Sequence, residues 1–141
     1  MESSGLFTQV EDGLAASLEE LQRLEPIFHT AEFGQTAAAF DLRMAPEYWE
    51  VGASGRRYDR AFILEFLAQN PPVDAGIAGW ICSEFGLRAL GLATFLLTYT
   101  LRQRERITRR ATIWEKADGR WRIVFHQGTI VQAEEDDRIP V

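Results

Sequence analysis

A chain of 141 residues fits one domain, long enough to bury a single core. Its 15 basic residues against 21 acidic ones leave a net charge of −6, which speaks against a nucleic-acid partner. The lone Cys82 has no internal disulfide partner, which fits a reducing, cytoplasmic compartment. No secretory signal opens the chain, and the longest apolar run, around Leu90–Leu101, is too short to span a membrane as a helix.

Residues 1–9 read as a loose arm, 10–131 as one domain and 132–141 as a solvated acidic tail. Leu14, Leu18, Leu21, Leu24 and Phe28 recur at spacings of three and four. They predict an amphipathic helix over Val10–Phe28, kinked or frayed at Pro26. Thr36 is a candidate N-cap for a second helix reaching about Met44, with Pro46 ending it. Tyr48–Ala53 alternates and is aromatic, which predicts a strand. After a loop at Ser54–Arg57, Asp59 is placed to cap a third helix over Arg60–Gln69. That helix is expected to bury Phe62, Ile63, Phe66 and Leu67 and to stop at Asn70-Pro71-Pro72. Val73–Gly79 reads as a linker. Trp80–Leu90 reads as a strand with a bulge at Gly86.

Three more strands follow, at about Leu92–Arg102, Ile107–Lys116 and Arg120–Thr129; the Asp118-Gly119 turn between the last two is a strong hairpin signal. Both faces of this meander carry apolar side chains. One parity gives Leu97, Tyr99, Leu101, Thr112, Trp114 and His126; the other gives Leu96, Ile113, Trp121, Ile123 and Phe125. A sheet with one wet face alternates cleanly, so both faces of this one should be covered. Helices early and strands late predict an α+β domain, with three N-terminal helices packed on one side of a strongly bent antiparallel sheet. The second apolar face, centred on Ile113, Trp121, Ile123 and Phe125, predicts a homodimer.

The element order resembles the nuclear-transport-factor-2-like (SnoaL-like) superfamily. The resemblance is carried by Leu24-Glu25, by Tyr48–Arg56 and above all by the hairpin Thr108–Trp114 to Gly119–Thr129. That hairpin is similar to bacterial domain-of-unknown-function-4440 members, and the chain also resembles the association domain of calmodulin-dependent kinase II. The resemblance implies a cone-shaped fold with a pocket between sheet and helices. Such pockets serve as isomerase, cyclase or dehydratase sites, as ligand pockets or as assembly surfaces. Ketosteroid isomerases of this fold use a Tyr on the first helix and two Asp residues; here the first helix has no Tyr, and Gly52 and Arg110 stand near the Asp positions.

The resemblance further implies that Tyr48, Glu50, Tyr99, Arg110, Thr112, Trp114 and His126 face the pocket. Glu50, Arg110 and His126 are then the candidate catalytic set, in a semi-apolar cavity where proton transfer becomes feasible. The other reading of the same three is a structural ion pair and a satisfied histidine. Beside Arg110, an anionic or carbonyl ligand fits best. Two functions follow: a ligand-binding or dimerising module, or a small isomerase, dehydratase or hydrolase. His29, His126 and Cys82 have no metal-ligand spacing, and no phosphate- or dinucleotide-binding motif implies a cofactor.

Overall fold

Pro26 decides where the first helix stops. Its ring would collide with the carbonyl of Gln22, and it disfavours helical backbone at Glu25. In the computed structural model, which describes residues 13–132, helix α1 runs over 13–22. The helix expected to reach Phe28 is therefore shorter. Its apolar stripe continues through Leu24, Ile27 and Phe28, all buried, on turns instead. The expected helix start at Val10, the arm over 1–9 and the acidic tail from 133 onward lie outside the described residues.

Helix α2 (Ala37–Arg43) is capped by Thr36, whose hydroxyl accepts from the Ala39 N–H at 3.1 Å. Arg43 donates to the carbonyls of Phe33, Trp121 and Glu32 at 3.2, 2.9 and 2.9 Å, tying the helix to the preceding loop and to the sheet. Strand β1 (Met44–Val51) follows without a break, so Pro46 lies in a strand and not at a helix end. It is tolerated there because the register of β1 against its neighbour shifts between Met44 and Trp49. A short strand that the sequence does not reveal, β2 (Arg57–Asp59), pairs back on β1 across the loop closed by the Gly55 N–H to Gly52 carbonyl bond at 2.8 Å.

Asp59 caps α3 (Arg60–Gln69), accepting from the Phe62 N–H at 2.8 Å, and Asn70 ends it ahead of two prolines. The buried face of α3 is narrower than expected. Ile63 is buried and Leu67 half-buried, but Phe62 and Phe66 are 48% and 50% exposed and stack in a row with Tyr58. The helix lies over β1 and β2, where the sheet ends, so only one side of it is covered. Within the stretch expected to be a linker, α4 (Ala75–Ala78) makes one turn.

Strands β3 (Ile81–Ala89), β4 (Thr94–Gln103), β5 (Arg106–Ala117) and β6 (Arg120–Ile130) form the meander. Asp118 and Gly119 both take positive φ, 53° and 75°, as a two-residue type I′ hairpin requires. The irregularity expected near Gly86 is present: the β3–β4 ladder shifts between Ser83 and Gly86, with Glu84 at φ 59°.

The six strands are ordered β2-β1-β6-β5-β4-β3, with helices on one face: an α+β fold. Every neighbouring pair is antiparallel except β1 and β6, which run parallel. That pair departs from the all-antiparallel expectation because a long crossover through β2, α3, α4 and strands β3 to β5 connects the two strands, so no hairpin reverses the direction. A second correction lies on β6. The β5–β6 ladder slips between Ile113 and Trp114, pairing Ile113 with Phe125 but Trp114 with Ile123. Alternation therefore breaks at Val124. Trp121 and Ile123, expected on the outer face, are buried in the core at 7% and 0% exposure.

Candidate functional site

Cross-strand register puts the seven expected pocket residues on one face. Glu50 lies opposite His126, His126 opposite Thr112 and Arg110 opposite Tyr99. Tyr48, Tyr99, Thr112, Trp114 and His126 are buried there, while Glu50 and Arg110 are half-buried. The parity expectation holds for this set.

Most of these side chains are used up by one another. Arg110 donates from Nε to the Thr108 hydroxyl at 2.9 Å, and its Nη1 lies 3.4 Å from His126 Nε2. Arginine has no acceptor, so Nε2 must accept and the His126 proton sits on Nδ1. That nitrogen lies 2.7 Å from the Thr112 hydroxyl. Thr112 also favours the charged form of the Glu25 carboxylate. Glu25 accepts from the Tyr99 hydroxyl at 2.7 Å, the Trp114 indole N–H at 3.0 Å and the Ile27 N–H at 3.2 Å. Thus Arg110, His126, Thr112 and Glu25 form a continuous polar row, and the Arg110 side chain lies beside Gly128.

Electrostatics follow from burial. Loss of water, and secondarily the Arg110 charge, push the His126 imidazole down to about 3, so it is neutral at pH 7. Burial raises Glu25 above the usual carboxylate range, against the four groups that favour its charged form. Burial likewise pushes the Cys82 thiol up to about 11, which leaves it a poor nucleophile.

Glu50 stands apart from the row. Its Oε1 accepts from the Tyr48 hydroxyl at 2.7 Å. It lines a cleft of about 320 Å³ between the turn at Phe28-His29, helix α3 and the 70–73 loop. The remaining walls are Ile63, Phe66, Leu67, Pro71, Pro72 and Val73. Arg110 and His126, expected to share a cavity with Glu50, do not line this one. The polar residues that do share it are Asn70 and His29, and His29 is the titratable one. Its Nδ1 lies 2.8 Å from the Val73 carbonyl, which can only accept, so Nδ1 carries the proton and Nε2 keeps its lone pair. The ring stands edge-on to Trp80 at 4.8 Å. Burial lowers the His29 pKa and raises that of Glu50. Among the described residues no group of three His, Cys, Asp or Glu side chains is placed to hold a metal ion, and no helix is long and apolar enough to cross a membrane.

Solved structures share this architecture. A DUF3225-family protein of unknown function from Pectobacterium atrosepticum superposes with a TM-score of 0.64 at 20% identity, covering 86% of this chain and 92% of that one. An NTF2-like protein from Cytophaga hutchinsonii gives 0.63 at 11% identity, covering 83% and 97%. A cystatin-like fold protein from Burkholderia xenovorans gives 0.63 at 11%, covering 86% and 92%. The chain has the nuclear-transport-factor-2-like fold. No family model matches it and no curated protein does. Of the neighbours named here, one is assigned to DUF3225 and none to the domain-of-unknown-function-4440 family.

On this nuclear-transport-factor-2-like frame, two residues matter that sequence reasoning did not single out as site residues. Glu25 had a signal: it lies on the same helical stripe as Leu18, Leu21 and Phe28, a carboxylate at an apolar position. His29 had none, because its placement depends on the turns after Pro26 and on the Val73 carbonyl, 44 residues away. Arg109 pairs with Glu84 at 3.1 Å and Arg110 turns inward.

Proposed function

We propose that this domain binds a small, largely apolar organic molecule in the cleft beside Glu50. The observation that carries the reading is the cleft itself: apolar walls from Phe28, Ile63, Phe66 and Leu67, with a carboxylate among them. A thermal-shift screen against small metabolites tests it. Hits should raise the melting temperature of the native chain, and Leu67→Trp, which fills the cleft, should abolish the shift. A screen whose hits are untouched by Leu67→Trp would remove the proposal.

The enzyme reading, with Glu50, Arg110 and His126 acting on a small organic molecule, is less well supported. A general acid–base must exchange protons near the working pH. His126 is held neutral and its two nitrogens are both engaged, so it acts better as a prop for Arg110 than as a proton carrier.

We also propose a homodimer through the outer sheet face. Trp121 and Ile123 belong to the core, so its centre moves to Phe125, Ile113 and Trp49. Trp49 is 43% exposed, with its ring 4.7 Å from that of Phe125. A stable interface buries about 800 Å² per partner, and apolar burial yields about 25 cal/mol per Å². One structural neighbour, from Exiguobacterium sibiricum, is named as a candidate calcium/calmodulin-dependent kinase II association domain (TM-score 0.56, 13% identity), a name that fits this reading. Phe125→Asp should convert a dimer to a monomer in light scattering. A chain that is monomeric at micromolar concentration without the substitution would overturn the dimer.

A further inference from the structure

Two of the three polar side chains that line the cleft, Glu50 and His29, offer it acceptors. Glu50 presents a carboxylate of which one oxygen is taken by Tyr48. His29 presents a lone pair on Nε2, because its only N–H is committed to the Val73 carbonyl. The third, Asn70, spends one of its two amide N–H groups on the Phe66 carbonyl at 3.0 Å. Arg110, the nearby cation, is bound to Thr108 and His126 and does not line the cleft. Two acceptor-bearing residues therefore line an apolar cleft, and among the described residues the only donor committed to their acceptor atoms is the Tyr48 hydroxyl. A buried acceptor without a donor costs free energy, so a ligand that brings the donor gains what water otherwise supplies.

On this geometry we propose that the cleft selects its ligand by a hydrogen-bond-donating head, a hydroxyl or a primary ammonium on an apolar body, held between His29 Nε2 and the Glu50 carboxylate. This rests on the cleft being a binding site and deepens that reading. It reverses the sequence-based expectation that an anionic or carbonyl ligand would fit best. That expectation placed Arg110 in one cavity with Glu50, whereas Arg110 is bound to Thr108 and His126 and does not line the cleft. Glu50 would repel a carboxylate, and neither His29 nor Glu50, as bonded here, can donate to a carbonyl.

The test uses four probes with one apolar body: 2-phenylethanol, 2-phenylethylamine, 3-phenylpropionate and ethylbenzene. Each is titrated into the native chain at pH 7 and followed by amide chemical shifts. The alcohol or the amine should bind about tenfold or more tighter than both the carboxylate and the hydrocarbon, the scale of one satisfied polar group. The two donor heads are then separated by Glu50→Gln. If the head is an ammonium, the amine leads and the variant erases its lead; if it is a hydroxyl, the alcohol leads and His29→Phe erases it. Since the ranking is read on the native chain, it stands even if a variant folds poorly. A carboxylate or hydrocarbon that binds as tightly as either donor overturns the proposal while leaving a binding cleft intact. No binding by any of the four overturns both.

Discussion

Two patches of the same sheet face carry similar residues and differ in what those residues have left to give. In the row Arg110–His126–Thr112–Glu25, every side chain meets another, and both nitrogens of His126 are engaged. In the cleft, Glu50 and His29 each have one hydrogen-bond partner among the described residues and line open volume. A buried polar group does not by itself mark a site. What separates the two patches is spare bonding capacity: the row uses its polarity to specify the core, and the cleft has polarity to offer a ligand.

If the row is structural, breaking it should unfold the protein more than anything done to the cleft. Glu25→Ala strips the acceptor from Tyr99, Trp114 and Ile27 together and should cost about 3–5 kcal/mol in urea denaturation. A loss below about 1 kcal/mol would mean the network contributes little.

A smaller effect should come with acid. A histidine whose folded pKa is depressed stabilises the fold above its unfolded pKa, and that stability is lost as pH falls toward the folded value. For His126 the window runs from 6.5 down to about 3. Between pH 7 and pH 5 this one group should cost about 2 kcal/mol. Glu25 and Glu50, raised by burial, act in the opposite sense, gaining relative stability as pH falls. The comparison to make is therefore between the native chain and His126→Gln, whose stability should fall less over the same two pH values. Equal slopes would place His126 in contact with solvent.

Thr112→Val keeps the shape of the side chain and removes the link between His126 and Glu25. It should cost about 1–2 kcal/mol, seen as a lower urea midpoint with unchanged slope. In the cleft, Glu50→Gln keeps an acceptor for Tyr48 and should change stability by less than about 1 kcal/mol.

The helix caps at Thr36 and Asp59, the Asp118-Gly119 turn, the meander of β3 to β6 and the shared face of Glu50, Arg110 and His126 are legible in the sequence, because each is set within a few residues or by strict alternation. What escaped depends on distant partners. The parallel pairing of β1 with β6 has no local signature. The slip at Val124 moved Trp121 and Ile123 from the outer face to the core, because alternation is readable only until a bulge breaks it. The grouping of Glu50 with Arg110 and His126 was right as to face and incomplete as to neighbourhood: sharing a face does not tell whether a side chain reaches its neighbour or a void.

The chain has two histidines, one in each patch, and this gives the most direct test. Imidazole carbon–proton NMR signals, followed at pH 7 as 2-phenylethanol is added, should show His29 shifting progressively while His126 stays fixed. Movement of His126 with a fixed His29 would put the ligand in the row and contradict the division between the two patches.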